Sequence, residues 1–530
     1  MSAAAPPAPT PPPPAAPIPW LSLTAVLLGT FISTLNGRLS NFGLSDIRGA
    51  LHAGFDEGAW ITTAQTTAQM LIAPIAVWMG TAFGPRRVLF WSASAFAVIS
   101  FIEPFSTDLQ TLLVFQFAGG IASGFFIPLT LSFILKNIPP KYWAYGIAIY
   151  ALNLELSLNI SASVEGWYVE YTSWHWIFWQ NVPLAAAMAL CLHYGSARDA
   201  ASPPSPRPDL YGFLAGGLGT GLIYAALDQG NRLDWLNSGL ITGLLAAGGL
   251  LIAGFFIHEA RTPNPGLNLK FLFAPPMPQI LILIGFLRLT ILATSYLVPQ
   301  YLQTVRGFRA LEVGQTLLLI AAPQLIVCPL AAALLRRNDS RLISGIGFVM
   351  VSVACFLVAY GLTPQWGSEE FLPSQLLQAL GQSFALSGVL FFAVLHLRPQ
   401  DALTFGAGVQ IARLMGGEIG QSFVVTLTRI RTQTASNTIG LHVQSGDEQV
   451  LQRIHAYTGV AFHNGSDLFT APLQGTALLA TAVRRAASTQ GVIDAFAVVG
   501  VLSIVALVAA ATHKAAPRGP ASHVSGGLSP

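Results

Sequence analysis

Charged side chains are scarce in this sequence. Asp, Glu, Lys and Arg make up 9% of 530 residues, where a soluble domain carries about 25%. So few charges cannot clothe a water-facing surface, and 53% of the residues are hydrophobic. Lipid is therefore the main solvent. Cysteine is rarer still: Cys191, Cys328 and Cys355 lie far apart in apolar runs, which suits neither a disulfide framework nor a metal site. A net charge of +3 gives no case for nucleic-acid binding. The chain has no G-x-x-x-x-G-K-[ST] and no H-E-x-x-H, so neither an ATP-driven pump built from this chain alone nor a zinc hydrolase is expected. No cofactor is expected, and no nucleophile–base constellation supports an enzyme.

What is present is a series of apolar runs. The proline-rich start, residues 1–18, lacks a positive n-region and reads as a disordered cytoplasmic tail rather than a signal peptide. A span needs about 20 mostly apolar residues. About fourteen candidates begin near Trp20, Ala59, Val88, Leu109, Tyr142, Trp176, Leu210, Leu240, Met277, Val313, Leu342, Leu372, Ala402 and Val492. Arg86, Arg87, Lys136, Lys141, Arg198, Arg207, Arg261, Lys270, Arg336, Arg337, Arg341, Arg398, Lys514 and Arg518 fall on one side; the short loops opposite hold only Arg48, Arg232, Arg306 and Arg309. That asymmetry predicts both termini in the cytoplasm. The Pro/Ser-rich stretch 196–209 reads as a linker between halves. The polar segment 432–491 then lies outside, with GDEQVLQRIHAYTGV and TALLATAVRRAASTQG as short helices on the membrane surface.

Several stretches resemble the fourteen-helix drug:proton antiporters of the EmrB/QacA type, in the major facilitator superfamily. LDQGNRLDW, with Asp228, Gly230, Asp234 and Trp235, is similar to that family's L-D-x-G-x-x-x-D-W. VPQYLQTVRGF (298–308), IPPKYWAYGIAIY, HWIFWQNVP (175–183) and GVQIARLMGGEIGQS (408–422) match in kind and order. The resemblance implies an all-α membrane fold. It has two six-helix bundles, 19–195 and 261–513, an inserted helix pair at 210–260, and a short tail at 514–530. It also implies a central cavity and alternating access.

The departures are as informative. In the loop VWMGTAFGPRRV, Gly84, Arg86 and Arg87 remain as gating-loop candidates, while Thr81 replaces the usual acid. Gln116 stands where the family has an arginine, and SASVEG replaces a glycine–proline motif. In the first span Asn41 fits, but Asn36 replaces the proton-carrying aspartate and Arg38 replaces a threonine. An amide cannot titrate near neutral pH, so another acid must carry any proton.

Ionisable groups inside spans cost about 2.5–3.5 kcal/mol by insertion scales and are functional by default. Arg38, Glu155, Arg288, Arg413 and Glu418 qualify, and Glu165 lies near the outer end of the fifth span. At about 1.5 Å per residue, Glu155 lies roughly 21 Å from Lys141, Arg38 roughly 28 Å from Pro19, and Glu165 near 36 Å. Two matching pairs are expected, Arg38 with Glu155 or Glu165, and Arg288 with Glu418. Arg38 as a helix-end arginine snorkelling to the headgroups is the alternative. Gln65 and Gln69 share a helix face, as do Gln375, Gln378 and Gln382; these amides either bond between helices or line a pathway. Trp60, Trp143, Tyr145 and Tyr150 could stack on an aromatic cargo. GGIASG and GFLAGGLGTG let helices approach closely.

The expectation is a proton-coupled secondary exporter of small amphipathic compounds, weakly acidic aromatics among them, in a bacterial inner membrane. The resemblance makes a periplasmic adaptor and an outer-membrane channel plausible partners beside the lipid bilayer. The alternatives are an importer or facilitator of an organic anion, or a non-transporting sensor.

Overall fold

The computed structural model describes residues 20–137, 142–195, 209–262, 266–398, 401–443 and 447–513; the side chains of Ser22, residues 38–42, Lys136 and Asn137 also lie outside the description. The expected tails, the linker 196–208, and Lys141, Arg198, Arg207, Lys514 and Arg518 therefore lie outside the described residues.

The main helices are α1 (Trp20–Phe42), α2 (Trp60–Ala82), α3 (Pro85–Ile102), α4 (Leu109–Gly124 continued by Phe126–Asn137), α5 (Trp143–Tyr171), α6 (Asn181–Gly195), α7 (Leu210–Gly230), α8 (Gly239–Arg261), α9 (Met277–Tyr301), α10 (Ala310–Leu335), α11 (Ser340–Gly361), α12 (Leu372–Leu395), α13 (Ala402–His442) and α14 (Thr470–Ala511). They begin close to where the apolar runs begin. Local chemistry sets their ends. Asp108 caps α4: the Thr111 backbone N–H and hydroxyl donate to its carboxylate and hold it below its usual range. Pro128 has no N–H and its ring crowds the carbonyl four residues back, which is where α4 breaks, after Gly124.

Ten of the described segments are long and apolar enough to cross a membrane. Of the other numbered helices, α1 contributes the apolar stretch Leu23–Gly37 among its described residues and α6 is 15 residues long, while α2 and α13 carry more polar residues. Below, the end at which α1 begins is the near end, and the opposite end is the far end.

Two groups of helices meet along α5 and α10, which pack over their whole length. A Cβ at Gly314 would lie 2.6 Å from Ser163 Cα, and one at Gly166 would lie 2.8 Å from Leu311 Cα. At the near end a shared core unites both groups, with Leu131, Ile147, Leu283, Phe348, Leu390 and Phe405 among its members. The backbone of Pro128 lies directly against Gly406 there. The inserted pair packs α7 on α2 and α8 on α7. Gly217 meets the Leu71 backbone and Gly216 the Phe255 ring, the close approach expected of GFLAGGLGTG. Gly120 and Gly124 do the same for α4 against α2. In the apolar window of α8 only 17% of residues are buried, against 89% in α12, so α8 is peripheral and α12 central.

The segment 432–491 departs from the expectation of short surface helices. Thr432–His442 continues α13, and the second stretch is part of the 42-residue α14. Only Glu448–His463 is a separate helix, and it packs on α14. The 41 residues of α13 reach about 60 Å at 1.5 Å per residue, roughly twice a hydrocarbon core. Helices that long stand off the membrane as a hairpin.

Candidate functional site

Helices α1, α2, α7, α9 and α13 converge on one place. A cavity of about 70 Å³ is lined by Ser33, Thr34 and Gly37 of α1, Thr62, Thr66 and Gln69 of α2, Tyr224 and Asp228 of α7, Arg288 and Leu292 of α9, and Arg413, Glu418 and Gln421 of α13. Thr62, Thr66 and Gln69 are thus among the polar residues of α2 that face the cavity, as Arg413, Glu418 and Gln421 are among those of α13. A smaller apolar annex, about 10 Å³, shares Arg288 and Arg413 with it and is walled by Leu154, Ile284, Leu287, Ile291, Leu386, Leu390 and Val409.

The electrostatics are asymmetric. Arg288 Nη1 donates to Glu155 Oε1 at 3.3 Å, with the two side chains 9% and 1% exposed. This pair crosses from α9 to α5 and corrects the expected Arg288–Glu418 pairing. Glu418 instead accepts from Ser422 Oγ at 3.1 Å and bonds Tyr224; no ion pair within 4 Å joins it to Arg288 among the described residues. The physical reason is facing, not depth: Gly416 packs on Gly285 and Gly420 on Leu289, so Glu418 is level with Arg288, but its carboxylate turns to Ser422 and to Tyr224 of α7.

Arg413 is 4% exposed. Its Nη1 donates to Thr34 Oγ1 at 3.2 Å and its Nη2 to Gln410 Oε1 at 3.0 Å. No carboxylate lies within ion-pair distance of it among the described residues. Neutral oxygens thus satisfy part of a buried guanidinium, and its charge faces the cavity.

Arg38 falls inside α1, four residues before its end. Its side chain and that of Asn41 lie outside the described residues, so neither expected Arg38 pairing is among the described contacts. Glu165 is fully buried against Gly43, and neither carboxylate oxygen has a hydrogen-bond partner among the described residues. Asn36 accepts from Asn181 Nδ2 at 2.7 Å and ties α1 to α6; it does not line the cavity. Gln69 donates to Ser123 Oγ at 3.0 Å while bordering the cavity. Gln65 and Gln116 are buried. Gln378 belongs to an amide chain: Gln382 Nε2 donates to Gln378 Oε1 at 3.3 Å, and Asn159 Nδ2 and Gln324 Nε2 donate to Gln382 Oε1 at 3.3 and 3.2 Å. Asn159 and Gln324, missed in the sequence, carry it across from α5 to α10. None of Trp60, Trp143, Tyr145 or Tyr150 lines the cavity or its annex. The Tyr145 hydroxyl accepts from Arg336 Nη1 at 2.9 Å.

In the gating-loop motif, Gly84 takes φ 84° ahead of Pro85 at the first position of α3. Arg86 donates to Leu192 O at 3.0 Å and His193 O at 2.8 Å, satisfying the last carbonyls of α6. Thr81 bonds its own helix at Trp78 O. Arg87 is exposed.

In LDQGNRLDW, Asp228 accepts from the Thr63 hydroxyl and from Gln229 Nε2. The Trp235 ring lies on Gly230, where a Cβ would sit 2.6 Å from it. Asp234 adopts φ 62° and its Oδ2 accepts from Asn237 at 2.8 Å. Each motif residue thus has a structural task, and Asp228 also borders the cavity.

A buried, charge-lined cavity between two packed helix groups is the geometry of a membrane transporter, and comparison with known proteins agrees. Residues 26–420 match the Major Facilitator Superfamily, and the chain belongs to that family. The probable multidrug resistance protein EmrY of Escherichia coli K12 is 27% identical over 420 residues, 77% of this chain and 80% of that one. The multidrug export protein EmrB of the same strain is 24% identical over 403 residues, 76% and 79%. In fold, the human organic anion transporter MFSD10 superposes with a TM-score of 0.58 at 13% identity, covering 94% of this chain and 100% of that one. The chain is a divergent EmrB-type relative, a multi-pass inner-membrane secondary transporter and not an enzyme.

Proposed function

We propose that this transporter exports small amphipathic organic compounds bearing one anionic head, in exchange for protons. The observation that carries this reading is Arg413: a buried guanidinium facing the cavity, held by neutral acceptors. A desolvated arginine of this kind favours an anionic oxygen group that can accept its fork of donors. The annex beside it is walled by Leu, Ile and Val, which fits an aliphatic tail better than the aromatic cargo expected from sequence. The Arg288–Glu155 pair supplies the exchange. Cargo rides on Arg413 while Glu155 is ionised and paired with Arg288, and the empty carrier returns with the proton on Glu155, so the two move in opposite directions.

The excess of positive residues at the near end supports a cytoplasmic near face. The α13–α14 hairpin then projects on the opposite side, where Leu468, Phe469 and Leu473 are 78%, 87% and 70% exposed. That apolar tip suits a periplasmic adaptor leading to an outer-membrane channel. The bundles 19–195 and 261–513, with 210–260 inserted, are the division that this mechanism uses.

The test is transport in proteoliposomes. Octanesulfonate stays anionic at every pH and does not follow a proton gradient unaided. An imposed gradient is expected to drive it uphill, against the proton's direction, at least fivefold over a gradient-free control. Octyltrimethylammonium is expected to stay at the control level. Equal transport of the cation would overturn the anion reading, and gradient-independent flux in both directions would favour a facilitator.

A further inference from the structure

At the far end the last turn of α7 bridges α2 and α13, and the two attachments differ in kind. On the α2 side contact runs along the helix. A Cβ at Gly217 would strike the Leu71 backbone, and one at Gly221 would lie 3.2 Å from Thr67 O. Gln229 Nε2 adds bonds to Ala59 O at 3.2 Å and Thr63 Oγ1 at 2.6 Å, and Arg232 Nη1 lies 2.6 Å from Asp56 Oδ1. Glycine-mediated backbone contact of this length cannot part without exposing both helices.

On the α13 side the contact is short and polar. Ser422 Oγ donates to Leu227 O at 2.7 Å, Thr426 Oγ1 to Asn231 Oδ1 at 3.3 Å, and Arg429 Nη1 to Asn231 O at 3.4 Å. The three donors are spaced four and three residues apart, so they form one stripe on α13. They meet the C-terminal end of α7, where carbonyls lack intrahelical partners and the helix dipole favours a cation such as Arg429. Three hydrogen bonds to a helix end can be exchanged for water at small cost, because each contributes only about 0.5–1.5 kcal/mol net. The latch also adjoins the cargo: Asp228 on α7 and Gln421 on α13 both border the cavity.

We infer that the inserted pair α7–α8 moves as one body with α2, and that its terminal turn is a releasable latch on the Ser422–Thr426–Arg429 stripe that closes the far end of the cavity. Leu227, Asn231 and Arg429 are then positioning residues for transport. They hold one state of the cycle closed without touching cargo.

Two arms test this in the full chain with Cys191, Cys328 and Cys355 replaced. The first rests on the exporter reading. Asn231→Cys with Thr426→Cys is bridged by a short bifunctional methanethiosulfonate, and Asp56→Cys with Arg232→Cys serves as the α2-side counterpart. Bridging the first pair is expected to cut octanesulfonate efflux at least tenfold, reversibly with dithiothreitol. Bridging the second is expected to leave efflux within twofold. Unchanged efflux in the bridged Asn231–Thr426 protein, or equal loss in both, would overturn the latch. Failure of the reduced proteins and the wild type alike to move octanesulfonate would count against the exporter reading instead.

The second arm needs no cargo. Spin labels at Leu236 and Ile430 are expected to give two distance populations in nanodiscs, while labels at Leu236 and Phe55 give one. A single population for both pairs, or two for both, would overturn the inference.

Discussion

Arg288→Met is expected to cost the protein most of its folded, monodisperse yield, and adding Glu155→Leu is expected to restore it. Removing Arg288 takes away the cation that Glu155 Oε1 faces at 3.3 Å in a site where both side chains are buried. Breaking one side of a buried ion pair typically costs about 3–5 kcal/mol, whereas replacing both partners with apolar groups is often neutral or stabilising. The surroundings suit the replacement, because Leu154, Leu287, Ile291 and Leu390 already wall the same space. Size-exclusion profiles and thermal melts of the two variants in detergent read this directly. A double variant that folds no better than Arg288→Met would mean that the pair is not the main determinant of the local packing. The rescued double variant is also expected to be uncoupled, since it has lost the exchangeable carboxyl.

Arg413→Ala is expected to weaken octanesulfonate binding at least thirtyfold by isothermal titration, with folding preserved. Removing one partner of a desolvated charge pair commonly costs about 2–5 kcal/mol, and about 1.4 kcal/mol is tenfold. Folding tolerates the loss because Thr34 and Gln410, the acceptors of Arg413, are neutral. Arg413→Lys is expected to fall between, since an ammonium cannot present the planar fork. Binding within twofold of wild type in Arg413→Ala would place the anion elsewhere.

Much of this architecture is legible in the sequence because its signals are local. Apolar runs mark the helices, Pro128 marks the break in α4, and the glycines of GFLAGGLGTG and GGIASG mark close approaches that the structure contains. The motif LDQGNRLDW is equally legible as a structural element, although its bonds to Thr63, Ser422 and Thr426 lie on helices far away in the chain. The charge pairing was the least legible feature. Pairing within each half follows from symmetry alone, but a salt bridge follows depth and facing, and α5 faces α9 across the cavity's annex. Depth does not separate the two acids, because Gly416 packs on Gly285 and Gly420 on Leu289 and Glu418 is therefore level with Arg288; only facing selects Glu155. The role of Asn36 was hidden for a similar reason. Its partner, Asn181, lies in HWIFWQNVP and becomes a neighbour only when α6 packs on α1.

The aromatic residues illustrate a different limit. Composition places rings near many span ends, but only packing decides which face a cavity. Tyr145 meets Arg336, and Tyr150 is fully buried, leaving Tyr224 as the ring at the cavity. An aliphatic annex could not be read from the sequence, because Leu154, Ile284, Leu386 and Val409 come from four separate helices.

The most direct test of the account is gradient-driven transport by Glu155→Gln. Glutamine keeps the size and a hydrogen-bond acceptor for Arg288, but it cannot take up or release a proton. In proteoliposomes, proton-driven accumulation of octanesulfonate is expected to fall at least fivefold, to the gradient-free level, while exchange of labelled for unlabelled octanesulfonate across the membrane persists. Proton-driven accumulation at the wild-type level in Glu155→Gln would contradict the account and remove the cross-bundle pair from coupling.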